Sequence, residues 1–434
     1  MGQGVDTNVI DTLLDNIFSN KERPDLIPNA EDSCWMEVSK GNPGNMNQKG
    51  AFYLEQLGAN NSSVDSQFAA SEFEDFPMAG NSRYVRLNVP PLVRRATVQI
   101  TDHAEIQDKS NLKETPVSNL EFLGNDIQGE MRFTAIKDAR QLWGNRSNEI
   151  ARVSAVNTGT RTITFLATAN LFGARFLEEG MRTEFRDPSG VLRQTVGQEP
   201  YVRLESVNRS TVTAVYQPST PIPGTVIAND IVYGKGDYNN GMAGIDYHTA
   251  LTGAWQGLAD RSLHDRTRGI RINAAGQSVH AALLRQAVSA QRNRIDQGTG
   301  MRAKSKFYAS AQIDAYEATG FAQQGYADGG ADLKRGFRKL FFGDIPFEYD
   351  RFIPYDSIFL GNLSKIDLFE MQKFGPVKDG GTYLRRLPSA DGMGWSPKKQ
   401  VIFQGIKNLG CQDPAGLGVW ITGLSVADVS LGYE

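Results

Sequence analysis

The side chains best suited to chemistry in this 434-residue chain are four histidines, two cysteines and a few paired acids. His103, His248, His264 and His280 share no HExxH or comparable close pairing, so no helix face is expected to offer two imidazoles to one metal ion. Cys34 and Cys411 stand far apart, which fits neither a disulfide framework nor a thiolate metal site and suits a reducing compartment. Asp237-Tyr238-Asn239-Asn240-Gly241 approaches a calcium loop. Its glycine falls one place early, however, and His248 takes the twelfth position where a bidentate glutamate is required, so a turn is expected. Gly234-Lys235-Gly236 lacks both the glycine-led cradle and the hydroxyl after lysine that hold phosphates. There is no GxSxG elbow and no GxGxxG after a strand. Glu178-Glu179 and Glu72 with Glu74 have no spacing that assigns an acid and a base, and the cluster Lys334, Arg335, Arg338, Lys339 on a helical surface reads as salt-bridging within or between subunits, with contact to phosphate the lesser alternative. This reading assigns no catalytic, cofactor-binding or metal residue and expects no cofactor. A triad can still assemble in space from distant positions. The enzyme alternative is a carbohydrate-active one, with Trp255, Trp395 and Trp420 as sugar platforms beside two close carboxylates.

Composition bounds what kind of molecule this is. Apolar residues make up 40% and charged residues 22%, ordinary for a folded chain, and the 44 glycines and 18 prolines promise many turns. A net charge of −3 argues against a protein whose main task is to grip a nucleic acid backbone, while leaving room for weak contact through one face. The start, MGQGVDTNVIDTLLDN, has no basic flank followed by an apolar run. No apolar stretch approaches the roughly 18 residues that span a bilayer, so no membrane partner is expected.

The elements that would position any site are legible in the patterning. Residues 146–235 are strand-rich and contain one motif twice. Ala151 to Asn157 with Thr162 to Phe165 is echoed by Val202 to Asn208 with Thr211 to Val215, each alternating apolar and polar around an asparagine-led turn. A small β-barrel is expected there. Ser118 to Trp143 predicts the strongest helix: Ser118 and Glu121 form a capping box, and Leu123, Ile127, Met131, Ala135, Ala139 and Leu142 build one apolar stripe. Glu130, Arg132, Lys137, Asp138 and Arg140 fall on its polar side. Residues 1–80 read as polar, irregular chain, an extended arm that needs another surface to order it. Between 82 and 103, Tyr84 to Val89 and Ala96 to Thr101 predict two strands about the stiff bend Pro90-Pro91, exposing arginines at 83, 86, 94 and 95. Gly234 to Gly241 predicts a hinge out of the barrel. Helical patterns follow at 276–294 and 305–318, and a basic helical piece at 331–341. Strands at 345–349, 358–361, 366–369, 401–403 and 419–422 are expected to join one mixed sheet packed by the long helices.

In this order the pieces resemble the major capsid proteins of tailed double-stranded DNA phages. The matching stretches are Leu120 to Gly144, with Gly129-Glu130-Met131-Arg132 inside it, and Phe342-Gly343-Asp344-Ile345-Pro346-Phe347-Glu348-Tyr349-Asp350, followed by Phe352 to Asn362. The resemblance implies an α+β, HK97-like capsid fold. Its parts would be an N-terminal arm (1–50), an extended loop region (51–117, the loop itself about 75–115), a spine helix (118–145), an inserted β-barrel domain (146–235), and peripheral and axial domains (236–434). It also implies a non-enzymatic subunit that self-assembles as hexamers and pentamers into an icosahedral shell around the genome. Minor capsid, decoration, scaffold and portal proteins would be its partners, with weak DNA contact on the inner face and a place in the virion after assembly in the host cytoplasm. Another virion component, of tail or baseplate, is the alternative within the same class.

Overall fold

Alternating apolar and polar residues dominate the chain, and the computed structural model resolves them into three sheets and a two-stranded ribbon. It describes residues 34–35, 37–38, 43–58, 83–101, 119–166, 173–194, 200–209, 211–264, 267–294, 305–318, 340–378, 384–388 and 395–426. In chain order, β1 (Pro43–Asn45) is followed by β2 (Ala51–Gly58), β3 (Arg83–Val89) and β4 (Leu92–Thr101). The helix α1 (Asn119–Leu142) then leads into β5 (Ala151–Asn157), β6 (Thr162–Phe165), β7 (Arg182–Arg186), β8 (Leu192–Arg193), β9 (Val202–Asn208), β10 (Thr213–Tyr216) and β11 (Ile231–Gly234). The rest comprises β12 (Ile270–Asn273), α2 (Ala281–Arg294), β13 (Lys306–Ala309), α3 (Gln312–Ala318), β14 (Phe341–Phe342), β15 (Ile345–Tyr349), β16 (Ile358–Gly361), β17 (Ile366–Pro376), β18 (Leu384–Pro388), β19 (Trp395–Cys411) and β20 (Gly418–Thr422).

The duplicated motif folds as a barrel. Its ring runs β11-β5-β6-β10-β9-β7 and closes where β7 meets β11 again, with β8 hanging from β7. Closure leaves no unpaired edge in the ring, which a small sheet of this kind needs. The two copies occupy equivalent halves. Asn157 Oδ1 accepts from Thr160 N at 3.1 Å and Asn208 Oδ1 accepts from Thr211 N at 3.2 Å, and each turn then has a left-handed residue, Arg161 (φ 57°) and Val212 (φ 52°). Ile163 faces its counterpart Ala214 across the β6–β10 seam. Paired backbone bonds repeat as well: Leu166 N to Arg152 O (2.8 Å) matches Gln217 N to Arg203 O (2.9 Å), and Asn229 N to Val153 O (2.8 Å) matches Gly180 N to Leu204 O (3.0 Å). The likeness continues beyond the hairpins into β7 and β11, which both cross to the other half's first strand.

Helix α1 is 24 residues long, about 36 Å at 1.5 Å per residue. Ser118 and the Glu121 side chain lie outside the described residues. Ile127, Met131, Ala139 and Leu142 are buried as the stripe requires. The polar side differs from expectation, because Asp138 and Arg140 are buried too. The last turns of α1 run between β4 and the barrel's root, so that side meets other charged chain rather than water. The chain returns from the barrel so close to the end of α1 that a Cβ on Gly244 would sit 2.3 Å from Gln141 O, which reserves the position for glycine.

The final sheet is two sheets, not the single mixed one expected. One has the order β12-β20-β16-β13-β15-β14; the other is β1-β17-β19-β18, with β4 also on β19. The 17 residues of β19 make it too long to be satisfied by local partners, and it recruits β4 from some 300 positions upstream. The pattern at 305–318 begins as strand β13 rather than helix, since Phe307, Tyr308 and Ala309 are buried between β15 and β16; α3 starts only after Ser310-Ala311. Ala51–Gly58, inside the stretch read as irregular, is a strand paired with β3. The basic piece at 331–339 lies outside the described residues.

The barrel interior is continuous with the body. Val153, Phe165, Phe185 and Tyr216 belong to one apolar cluster with Leu142, Trp143, Tyr308, Phe359 and Trp420. A second cluster packs Leu283, Leu284 and Ala287 of α2 onto Phe307, Ile358, Leu360 and Ile421 of the six-stranded sheet. Among the described residues no helix is long and apolar enough to cross a membrane.

Candidate functional site

The side chains singled out for chemistry do not converge. His248 is fully buried, accepts a hydrogen bond at Nδ1 from Trp255 Nε1 (3.1 Å), and is lowered to about 3 by burial and then by Arg261, which keeps it neutral. His280 is exposed, His264 is half-buried, and His103 lies outside the described residues. Cys34 and Cys411 are both buried free thiols. Asp237 to Gly241 is a turn, with Asn240 N bonded to Asp237 O at 3.0 Å, and the Asp237 carboxylate is taken by Lys137 Nζ at 2.6 Å. Among the described residues no group of three His, Cys, Asp or Glu side chains is placed to hold a metal ion. The sugar-platform reading is corrected for two of its three tryptophans: Trp255 (0% exposed) and Trp420 (2%) fill the interior and offer no exposed ring face on which a sugar could stack. The Trp395 side chain lies outside the described residues.

What the structure does offer is contact surface. The β2–β3 ribbon has two unlike faces set by its register. Ala51, Tyr53, Leu87 and Val89 turn inward, where Tyr53 meets Phe369 edge-on at 5.5 Å and donates to Asp367 Oδ2 at 2.5 Å. The other face carries Phe52, Leu54 and Tyr84, with Leu54 65% and Tyr84 58% exposed, and Arg86 lies over the Phe52 ring at 3.5 Å. An isolated two-stranded ribbon is marginal in water, and one showing apolar side chains to solvent calls for a cover. β3 and β4 do not pair with each other. Pro90-Pro91 sends β3 to the ribbon and β4 to β19, so the arginines predicted between them separate. Arg86 stays on the ribbon and Arg94 joins the body.

Arg94 enters a network that ties the ribbon's base to α1. Asp138 on α1 accepts from both Arg94 Nη1 and Lys407 Nζ, and Arg94 Nη2 donates to Gln141 Oε1 at 3.0 Å. One turn away, burial lowers Lys137 even though Asp237 pulls the other way. Close by, Trp143 packs among Tyr308, Phe359 and Trp420 and donates Nε1 to Asp350 Oδ2 at 3.1 Å. The same carboxylate accepts Cys34 N at 2.8 Å, while its other oxygen accepts Phe352 N at 2.8 Å. Residues around Cys34, read from sequence as arm awaiting another surface, thus find part of that surface on their own chain, with Cys34, Trp35 and Val38 all buried. The ribbon strand carried a sequence signal, the consecutive aromatic and aliphatic residues Phe52-Tyr53-Leu54, that its polar neighbourhood concealed. These groups hold elements together, and nothing in their geometry pairs a nucleophile with a base.

No family model matches this chain, and no curated protein matches it. Solved structures do. The chain is similar to that in the cyanophage A-1(L) capsid asymmetric unit, with a TM-score of 0.52 at 11% identity over 92% of this chain and 94% of that one. A chain of Mycobacterium phage Patience aligns with TM-score 0.42 at 9% identity, covering 100% and 91%. The holo-SrpI encapsulin complex from Synechococcus elongatus PCC 7942 aligns with 0.40 at 8%, covering 93% and 91%. Those two scores are too low to bear on the fold. The first bears on it: this chain, with helices, sheets and a β-barrel of its own, resembles the HK97-like capsid fold in aligning with that phage capsid chain.

Proposed function

We propose that this protein is the major capsid protein of a tailed double-stranded DNA phage, a non-catalytic subunit that self-assembles as hexamers and pentamers into the icosahedral shell enclosing the genome. The observation that carries the reading is the outward face of the β2–β3 ribbon on a chain with a capsid fold: among the described residues, Phe52, Leu54 and Tyr84 are exposed on a ribbon whose inner face meets the body near its base. A second copy of this chain is the partner that a shell would bring to that face, and repeated contacts of this kind offset the ordering of the extensions. In this reading 1–50 is an arm, 51–117 the extended loop region, 118–145 the spine helix, 146–235 the barrel insertion and 236–434 the peripheral and axial domains. Portal, scaffold, decoration and minor capsid proteins would be further partners. DNA contact would be weak and confined to the inner face, in keeping with a net charge of −3, and the protein would reside in the virion after assembly in the host cytoplasm. Electron microscopy of the purified chain tests it: hexamers, pentamers or closed shells are expected. A strict monomer at high concentration would sink the idea.

A further inference from the structure

The barrel leaves the end of α1 and returns to the body through one narrow root, and under that root lies a polar cavity of about 210 Å³. Its walls come from the last turn of α1, the segment entering β5, the returning segment Gly241 to Asp246, and Arg271 of β12, with Trp143 and Trp420 among its lining. Four guanidinium groups line it, from Arg140, Arg146, Arg152 and Arg271, against two carboxylates, Glu149 and Asp246. Arg152 pairs with Glu149 at 3.5 Å, Arg271 pairs with Asp246, and Arg140 donates to Asn148 Oδ1 and feels the Asp237 carboxylate, so the lining as a whole is rich in guanidinium groups.

Three donors on this lining have no acceptor. Asn148 is only 7% exposed, and its amide orientation is fixed because Oδ1 accepts from Arg140 Nη2 (2.6 Å) and Gln141 Nε2 (3.1 Å). Its Nδ2 is therefore a buried N–H group with no protein partner, as are Arg152 Nε and Arg271 Nε. A buried donor without an acceptor is costly, so three on the residues around one cavity indicate that an acceptor belongs there. Arg146 (φ 76°) and Asn148 (φ 66°) are both left-handed, ordinary for the asparagine and less common for the arginine, so the chain turns sharply at the cavity's edge.

We propose that this cavity is an oxyanion site of the phosphate class, in which Asn148 Nδ2, Arg152 Nε and Arg271 Nε donate to phosphoryl oxygens and Arg146 closes the mouth. A phosphoryl group presents anionic acceptors in several directions at once and suits guanidinium donors. Because the bound ion touches both the outgoing and the returning chain, it braces the barrel on the body. The site stands independently of the shell reading.

The test uses the full chain, with phosphate added in place of chloride at constant ionic strength. A saturable rise in apparent Tm of about 2 °C is expected at saturating phosphate, together with slower amide exchange at residues 145–152 and 241–246. Arg146→Ala should weaken the response about tenfold or more in phosphate concentration. Asn148→Asp keeps the acceptor for Arg140 and turns the Nδ2 position into a carboxylate oxygen, so it should fold and lose the phosphate response. A short oligodeoxynucleotide separates the sources. Stabilisation by the oligonucleotide that free phosphate competes away marks a backbone phosphodiester, whereas a response to phosphate alone marks a small ion. Equal effects of phosphate and chloride, as ordered water in the cavity would give, or an undiminished response in a folded Asn148→Asp variant, would overturn the proposal.

Discussion

Asp350 shows how much a single carboxylate can organise. One oxygen accepts from the Cys34 backbone and the Trp143 indole, the other from Phe352 N, so three separate stretches of chain are fixed by one residue. Asp350→Asn keeps the shape but turns one oxygen into a donor facing donors, and a loss of about 1–3 kcal/mol in denaturant unfolding is expected. Burial also raises Asp350 and Asp356 to about 6 each, while it lowers His248 to about 3. The signs oppose. A carboxyl raised above its ordinary 3.8 takes up a proton on folding, so its contribution to stability grows as pH falls through about 6. A histidine lowered below its ordinary 6.5 gives up a proton on folding, and its contribution is lost as pH falls below that value. Asp356→Asn removes one term that resists acid, and should show a steeper fall in apparent Tm below about pH 6 than the parent chain. Parallel curves would contradict the assignment.

At the scale of elements, the barrel is two copies of one three-stranded unit that exchange their third strands, β7 pairing with β9 and β11 with β5. Each half supplies what the other lacks, which explains why the repeat was visible as paired hairpins while its third strand was not: β7 and β11 share position but little sequence. The barrel is fastened to the body by a short 3-10 turn, Gly173–Phe176. There Phe176 stacks on Phe352 at 5.7 Å, and Arg175 lies over Tyr355 at 4.3 Å and bonds to Ile353 O at 3.3 Å. Phe176→Ala removes the stacked ring from a buried position and should cost about 3 kcal/mol. Amide exchange would rise across the barrel if it is held in place by this contact, and only around residue 176 if it is not.

For the whole molecule, the division that matters is between surface satisfied within the chain and surface left over. Phe52, Leu54 and Tyr84 contribute little to the fold of one copy, because they project from the ribbon's outer face. Leu54→Asp with Tyr84→Asp should therefore leave the free energy of unfolding within about 0.5 kcal/mol of the parent and abolish assembly, as seen by sedimentation alongside microscopy. Shells of normal yield from the double variant would remove the ribbon from the proposed interface.

Local patterning was enough to determine the repeat at 151–216, the buried stripe of α1 and most of the short strands, because periods of two and of three to four are properties of neighbouring residues. It also carried the likeness to capsid proteins through the order of those pieces. Other features were decided only in three dimensions: the pairing of β4 with β19, the split into two sheets, the burial of Asp138 and Arg140, and the meeting of Cys34 with Asp350. The sheet pairing and the Cys34–Asp350 contact join residues about 300 positions apart, and alternation along a strand says which face is apolar without saying which strand lies beside it. The polar cavity under the barrel has the same origin. Its arginines look like ordinary surface charge in sequence, and become a site only where four chain segments close around them.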